Sequence, residues 1–136
     1  MRNEKDFGFI ADNELEYLKH CKEIIHISYC NPFLIQCQQV LEKDIKQLIS
    51  ENGLTGMDTG ILKINNLNIL YNFLKKLIVI ELPKHNLRMI KDYYFEASYP
   101  GDEYFVATIE QCEECFEITL SLHEKLKSLR KPKNLS

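Results

Sequence analysis

The chain has 136 residues, a length that supports one hydrophobic core and leaves little for a second. Its 45% hydrophobic and 27% charged residues match globular averages, which excludes a disordered or low-complexity spacer. With 17 Lys and Arg against 20 Asp and Glu, the formal charge is −3, so any binding of nucleic acid must be local rather than a pull of the whole molecule.

No apolar run approaches the ~20 residues that cross a bilayer, and the opening MRNEKDFGF lacks the apolar stretch of an export signal. The expectation is a cytoplasmic chain with no membrane association. Five cysteines, an odd number without an export signal, read as reduced thiols rather than a disulfide framework. Only 5 Gly and 4 Pro, with no sustained alternating pattern, leave helices as the main structural material.

The first helix is expected to start at Asn13, where Glu16 completes a capping box, and to run to about Tyr29. Leu15, Leu18, Lys22 and Ile25 form its inner stripe, Cys21 and Ile24 widen it, and Glu14, Lys19 and Glu23 face water. Asn31 and Pro32 then serve as cap and first residue of a second helix of some five turns. Its stripe is Leu34, Cys37, Leu41, Ile45 and Leu48, and Gly53 is its expected left-handed terminator. Three of the five glycines fall between Gly53 and Gly60, which predicts a loop.

A shorter third helix follows from Leu67, Leu70, Phe73, Leu74 and Leu77. Pro83 opens a fourth, which runs to about Ala97 on the stripe Leu87, Ile90 and Tyr94 before the turn Tyr99-Pro100-Gly101-Asp102. Thr108 and Gln111 form a capping box for the last helix, through Ile109, Cys112, Phe116, Leu120, His123 and Leu126 to Lys131-Pro132, with KPKNLS as a frayed tail. Five amphipathic helices on mostly short links predict an all-α, antiparallel up-and-down bundle forming one domain over 1–136, with its core at about 10–130.

The string Cys37-Gln38-Gln39-Val40-Leu41-Glu42-Lys43-Asp44-Ile45-Lys46 resembles the C-Q-Q-A-x-E-K-x-L-K pattern in the second helix of HEPN domains. Tyr94-Phe95-Glu96-Ala97-Ser98-Tyr99-Pro100-Gly101-Asp102 resembles the Y-x-E-A-R-Y-P-x-D signature of the same family. The resemblance implies a helical bundle that homodimerises and belongs among nucleotide-binding or RNA-cleaving proteins. Such proteins often act beside a small nucleotidyltransferase in a toxin–antitoxin-like setting. Three positions depart from the pattern. Ser98 stands where the family has Arg, removing a planar five-donor group suited to phosphate. None of Arg2, Arg88 and Arg130 is followed after four to six residues by a His, as in the RNA-cleaving members. Asn66 replaces the His of the short H-D-L motif, which excludes proton transfer there.

These residues lead to the expectation of a module associated with nucleotide or nucleic acid, with no catalytic residues and no cofactor of its own. The alternatives are a helical protein–protein adaptor and a non-standard ribonuclease built on His85, Arg88 and Glu96. The candidate ligand site combines Gln39, Lys43 and Lys46 with the turn residues Ser98, Tyr99 and Asp102: lysines for phosphate, an amide for a base edge and a ring for stacking. The simpler reading of the α-helical face is solvation, with Glu42 and Lys46 as an i, i+4 ion pair. His85 and Arg88, one turn apart, could also touch an anion.

Cys112-Glu113-Glu114-Cys115 has C-x-x-C spacing, but it lies within a helix and no second pair is so spaced, so core packing is expected and no metal site. His20, His26 and His123 are read as structural. Phe33, Tyr94, Tyr99 and Phe105 are more large aromatics than a small bundle need hide, which predicts a homodimer burying some of them.

Overall fold

The computed structural model describes residues 6–23, 30–53, 60–98 and 107–132. They form five α-helices: α1 (Phe7–Glu23), α2 (Cys30–Asn52), α3 (Leu67–Lys75), α4 (Lys84–Ser98) and α5 (Ile109–Ser128), with a 3-10 turn at Gly60–Lys63. Among the described residues there is no strand, and no helix is long and apolar enough to cross a membrane.

The central element is α2, against which the other four pack. Its predicted stripe, Leu34, Cys37, Leu41, Ile45 and Leu48, is fully buried. Contacts Glu14 to Lys43 and Gly8 to Gln47 run in opposite senses along α1 and α2, so these two are antiparallel. Asn31 to Ala107, Asp44 to His123 and Lys131 to Glu51 climb together, so α5 runs parallel to α2. The expected all-α bundle of five helices is observed, with α5 running parallel to α2 where strict up-and-down alternation would set them antiparallel.

Several boundaries move for local reasons. α1 starts at Phe7, not Asn13, because Asp6 Oδ1 accepts a hydrogen bond from Phe9 N at 2.9 Å and caps the helix two turns earlier. Residues 24–29, which the sequence assigns to the end of this helix, lie outside the described residues, as do the 54–59 loop and the Tyr99–Asp102 turn. Glu14 does not face water alone; it is half-buried and pairs with Lys43 at 3.3 Å. Lys22, the polar member of the α1 stripe, lays its ammonium over the Phe116 ring, 4.9 Å from the centroid, and pairs with Glu117 at 3.7 Å.

Gly53 follows α2 without a left-handed backbone. Its requirement is steric: a Cβ there would meet the Leu77 side chain at 2.6 Å. Asn66, where the family pattern has His, caps α3 by accepting from Ile69 N at 3.1 Å. The Thr108/Gln111 capping box of α5 forms in both directions. On α5, Thr119 and Leu122 are buried, whereas Ile109 is exposed and Leu120 half-buried, a rotation of the stripe toward α2. Lys131, expected in a frayed tail, is pinned by hydrogen bonds from its backbone N and its Nζ to Glu51.

Candidate functional site

The predicted ligand face on α2 is largely engaged inside the bundle. Lys43 reaches Glu14 of α1, and buried Lys46 donates to Asn65 Oδ1 at 3.2 Å, its ammonium 5.8 Å from the centre of the Phe7 ring. Burial pushes the Lys46 amine below its ordinary value, against the pull of the nearby Glu42 carboxylate. The expected Glu42–Lys46 ion pair is absent; Glu42 instead accepts from Gln38 Nε2 at 2.7 Å. Burial also raises the Glu42 carboxyl, although that hydrogen bond and the two lysines oppose it. Gln39 is half-buried on the same helix. Ser98, at the end of α4, is exposed and donates to Tyr94 O at 2.7 Å, a bond within its own helix. Among the described residues no hydrogen bond joins Ser98 to Gln39, Lys43 or Lys46, and Tyr99 and Asp102 lie outside the described residues.

Two arrangements were missed from the sequence. The first is a buried acid–base cluster joining α1, α2 and the end of α5. His123 Nδ1 donates to Asp44 Oδ2 at 2.6 Å, and its Nε2 lies 3.4 Å from Asp12 Oδ1. Arg130 donates to Asp44 Oδ1 at 2.8 Å and bridges both oxygens of Asp12 at 3.1 and 3.2 Å. The Asp44 and His123 side chains are 0% and 3% exposed, Arg130 10% and Asp12 37%. Gly8 lets the guanidinium approach α1, since a Cβ there would sit 3.0 Å from Arg130 Cζ.

Burial raises the Asp44 carboxyl against the hydrogen bonds from His123 and Arg130. At the more open Asp12, burial pushes upward too, but the Arg130 hydrogen bonds and the surrounding cations hold the carboxyl below its ordinary value. Asp12 and His123 line one side of a cleft of about 410 Å³ between α1 and α5. Because Asp44 is buried, Arg130 nearly so, and Asp12 and His123 meet across the α1–α5 interface, the cluster ties the three helices together.

The second arrangement is a basic cleft of about 370 Å³ between α3 and α4. One wall carries Lys84, Arg88 and Lys91, at i, i+4 and i+7 on α4; the other carries Asn68, Asn72 and Lys75 at the same spacing on α3. Asp92 is its one carboxylate. Tyr71 and Leu87 form the floor, and the Tyr71 hydroxyl accepts from Leu82 N at 2.8 Å, fixing the link between the two helices. Lys75 sits over the Tyr71 ring at 4.8 Å. Among the described residues, none of these four cations lies within ion-pair distance of a carboxylate. Of the pair expected to touch an anion, Arg88 lines this cleft and exposed His85 does not. A cation every turn beside the Leu87 and Ile90 stripe was the readable signal.

The C-x-x-C cysteines are core residues, and α2 supplies the neighbours that spacing could not show. Cys112 Sγ donates to Cys30 O at 3.4 Å, and Cys115 lies against Cys37. Among the described residues no group of three or more His, Cys, Asp or Glu side chains is arranged to hold a metal ion. Phe33, counted among the surplus aromatics, is buried and packs on Phe116 with centroids 6.1 Å apart; Tyr94 is half-buried, and Tyr99 and Phe105 lie outside the described residues.

No curated protein and no solved structure matches the chain. A family model described as the HEPN domain matches residues 11–129, a span that takes in four helices whole and all of α1 beyond its first turn. The five-helix chain is thus a member of the HEPN domain family.

Proposed function

We propose that this HEPN domain binds a phosphate-bearing ligand, a nucleotide or nucleic acid, and that it does so without cleaving it. The observation that carries the reading is the α3–α4 cleft, which gathers four cations against one carboxylate, none of the four in an ion pair among the described residues, in a chain whose overall charge is −3. On an acidic chain a concentration of unpaired cations implies a local anionic partner. The polar residues on α2 and at Ser98, Tyr99 and Asp102 are the other location for such a ligand. The α3–α4 cleft is favoured because Lys43 and Lys46 already have partners in the bundle. The lack of catalysis rests on the sequence, in which no Arg is followed by a His at the nuclease spacing. The family likeness adds homodimerisation and a nucleotidyltransferase partner in a toxin–antitoxin-like setting as further parts of the proposal.

Calorimetric titration with ATP and with a short RNA tests this reading. Lys84→Ala together with Arg88→Ala should weaken binding at least about tenfold, since a single charge-assisted hydrogen bond contributes ~1.5 to 3 kcal/mol. Lys43→Ala should leave it within twofold. Loss of affinity in Lys43→Ala, with a gain in Ser98→Arg, would move the site to α2 and the turn after α4. Absence of binding by the wild type for both ligands would reject the function. The RNA should remain intact after incubation; cleavage abolished by His85→Ala would overturn the non-catalytic part. Light scattering that gives the monomer mass through a dilution series would reject the dimer.

A further inference from the structure

The two walls of the α3–α4 cleft match in length and differ in chemistry. Lys84, Arg88 and Lys91 span seven residue steps of α4, and Asn68, Asn72 and Lys75 seven of α3, each about 10.5 Å at 1.5 Å per step. One wall carries three cations and, one residue past Lys91, the carboxylate of Asp92; the other presents two exposed carboxamides and ends in Lys75. Resting on the phosphate-ligand reading above, we propose that the cleft binds a single polynucleotide strand lengthwise, its backbone along the α4 cations and its base edges toward the α3 carboxamides, and that free mononucleotides are poor ligands.

Three physical points support this. Phosphates recur at regular intervals along a strand, so a row of cations ~10.5 Å long faces more than one of them at once, whereas the phosphate of a single nucleotide reaches only part of it. A triphosphate concentrates its charge at one point, and sites for it use a converging nest of backbone amides. Here the cations lie in a row on a helix flank, and the glycines at 53, 56 and 60 do not form a phosphate loop. Carboxamides on a helix flank reach the Watson–Crick edges of bases only where these are unpaired, as in a single strand. The Tyr71 ring is buried under Lys75 and tied through its hydroxyl, so recognition relies on charge and amides rather than stacking.

The test is fluorescence anisotropy with a labelled ten-nucleotide RNA, the corresponding DNA, a blunt duplex and a fluorescent ATP analogue, each over a range of salt. The single strands should bind at least about tenfold more tightly than the ATP analogue or the duplex. Log affinity against log salt should have a slope near −3, from ~0.7 per neutralised phosphate and up to four cations. Arg88→Ala with Lys91→Ala should make that slope shallower by about 1.4. Asn68→Ala with Asn72→Ala should weaken binding severalfold and leave the slope unchanged. RNA and DNA arms separate strands that need a 2′-hydroxyl from those that do not. Circular dichroism melts of each variant confirm folding.

Equal affinity for ATP analogue and strand, both lost with the cations, would overturn the strand inference and leave the phosphate reading standing. A strand affinity indifferent to the α4 cations would place its site elsewhere and overturn the inference. Failure of every ligand to bind would remove both.

Discussion

His123 on α5 donates its Nδ1 proton to Asp44 on α2 across 2.6 Å, with both side chains buried. Removing one partner of a buried hydrogen-bonded pair leaves the other short of a partner, at a cost of ~1 to 3 kcal/mol. His123→Ala and Asp44→Ala should each lower stability by about that amount in urea unfolding, with an unchanged denaturant slope. The double variant should lose less than the sum, because the second deletion removes a group the first had stranded. Additive losses would show that the two residues act independently.

Glu42 offers a pH-dependent prediction of defined sign. Burial raises its carboxyl in the folded state above the ordinary value of 4.5, so folding takes up a proton there. Its contribution is fully present below the ordinary value and is lost as pH rises through the raised one. Asp12 works oppositely: its lowered carboxyl contributes above 3.8 and loses that contribution as pH falls through the folded value. Glu42→Gln keeps an acceptor for Gln38 and removes the ionisation. Its melting temperature should gain on wild type as pH climbs from 4 to 7. A constant difference across that range would show that Glu42 is not raised by burial.

The fold was legible because helix periodicity and caps are local. The α2 stripe and the Thr108/Gln111 box could be read from spacing alone, and both formed as expected. The start of α1 was misplaced because Asn13 and Glu16 satisfy a capping pattern as well as Asp6 does, and only packing of Ala11 and Gly8 against α2 decides between them. The Asp44–His123–Arg130 cluster left no trace in spacing, since its members are separated by 79 and 86 positions. The basic cleft left half a trace: the cation repeat on α4 is visible, but the opposing carboxamides on α3 become relevant only when the two helices are set side by side.

Gly53 and Leu77 form a second long-range dependence that is testable by a reciprocal pair. An added Cβ at position 53 would meet Leu77 Cδ2 at 2.6 Å, inside any permitted contact. Overpacking of this kind costs ~1 to 3 kcal/mol. Gly53→Ala should destabilise by no more than the lower end of that range, since the Leu77 methyl groups can shift, and adding Leu77→Ala should recover the loss by vacating the space. If Gly53→Ala is neutral on its own, Leu77 moves aside freely and the glycine is not sterically required.

The five thiols should separate into one fast and four slow classes. Cys21 is half-buried, while Cys30, Cys37, Cys112 and Cys115 are all buried between α2 and α5. Burial, reinforced by the neighbouring Cys30, pushes the Cys112 thiol well above its ordinary range; Cys115 is raised by its hydrogen bond with Cys37 and by burial. Because the thiolate is the reactive species, both effects slow the attack on a reagent, and burial denies access as well. An aromatic disulfide reagent at neutral pH should therefore titrate one group promptly in the native protein and all five in urea. Rapid native reaction of two or more groups would place a second thiol at the surface. Stoichiometric zinc in protein purified without added metal, lost on Cys112→Ser with Cys115→Ser, would replace the core-packing account of these residues with a metal site. The expected result is no zinc and a single fast thiol, abolished by Cys21→Ser.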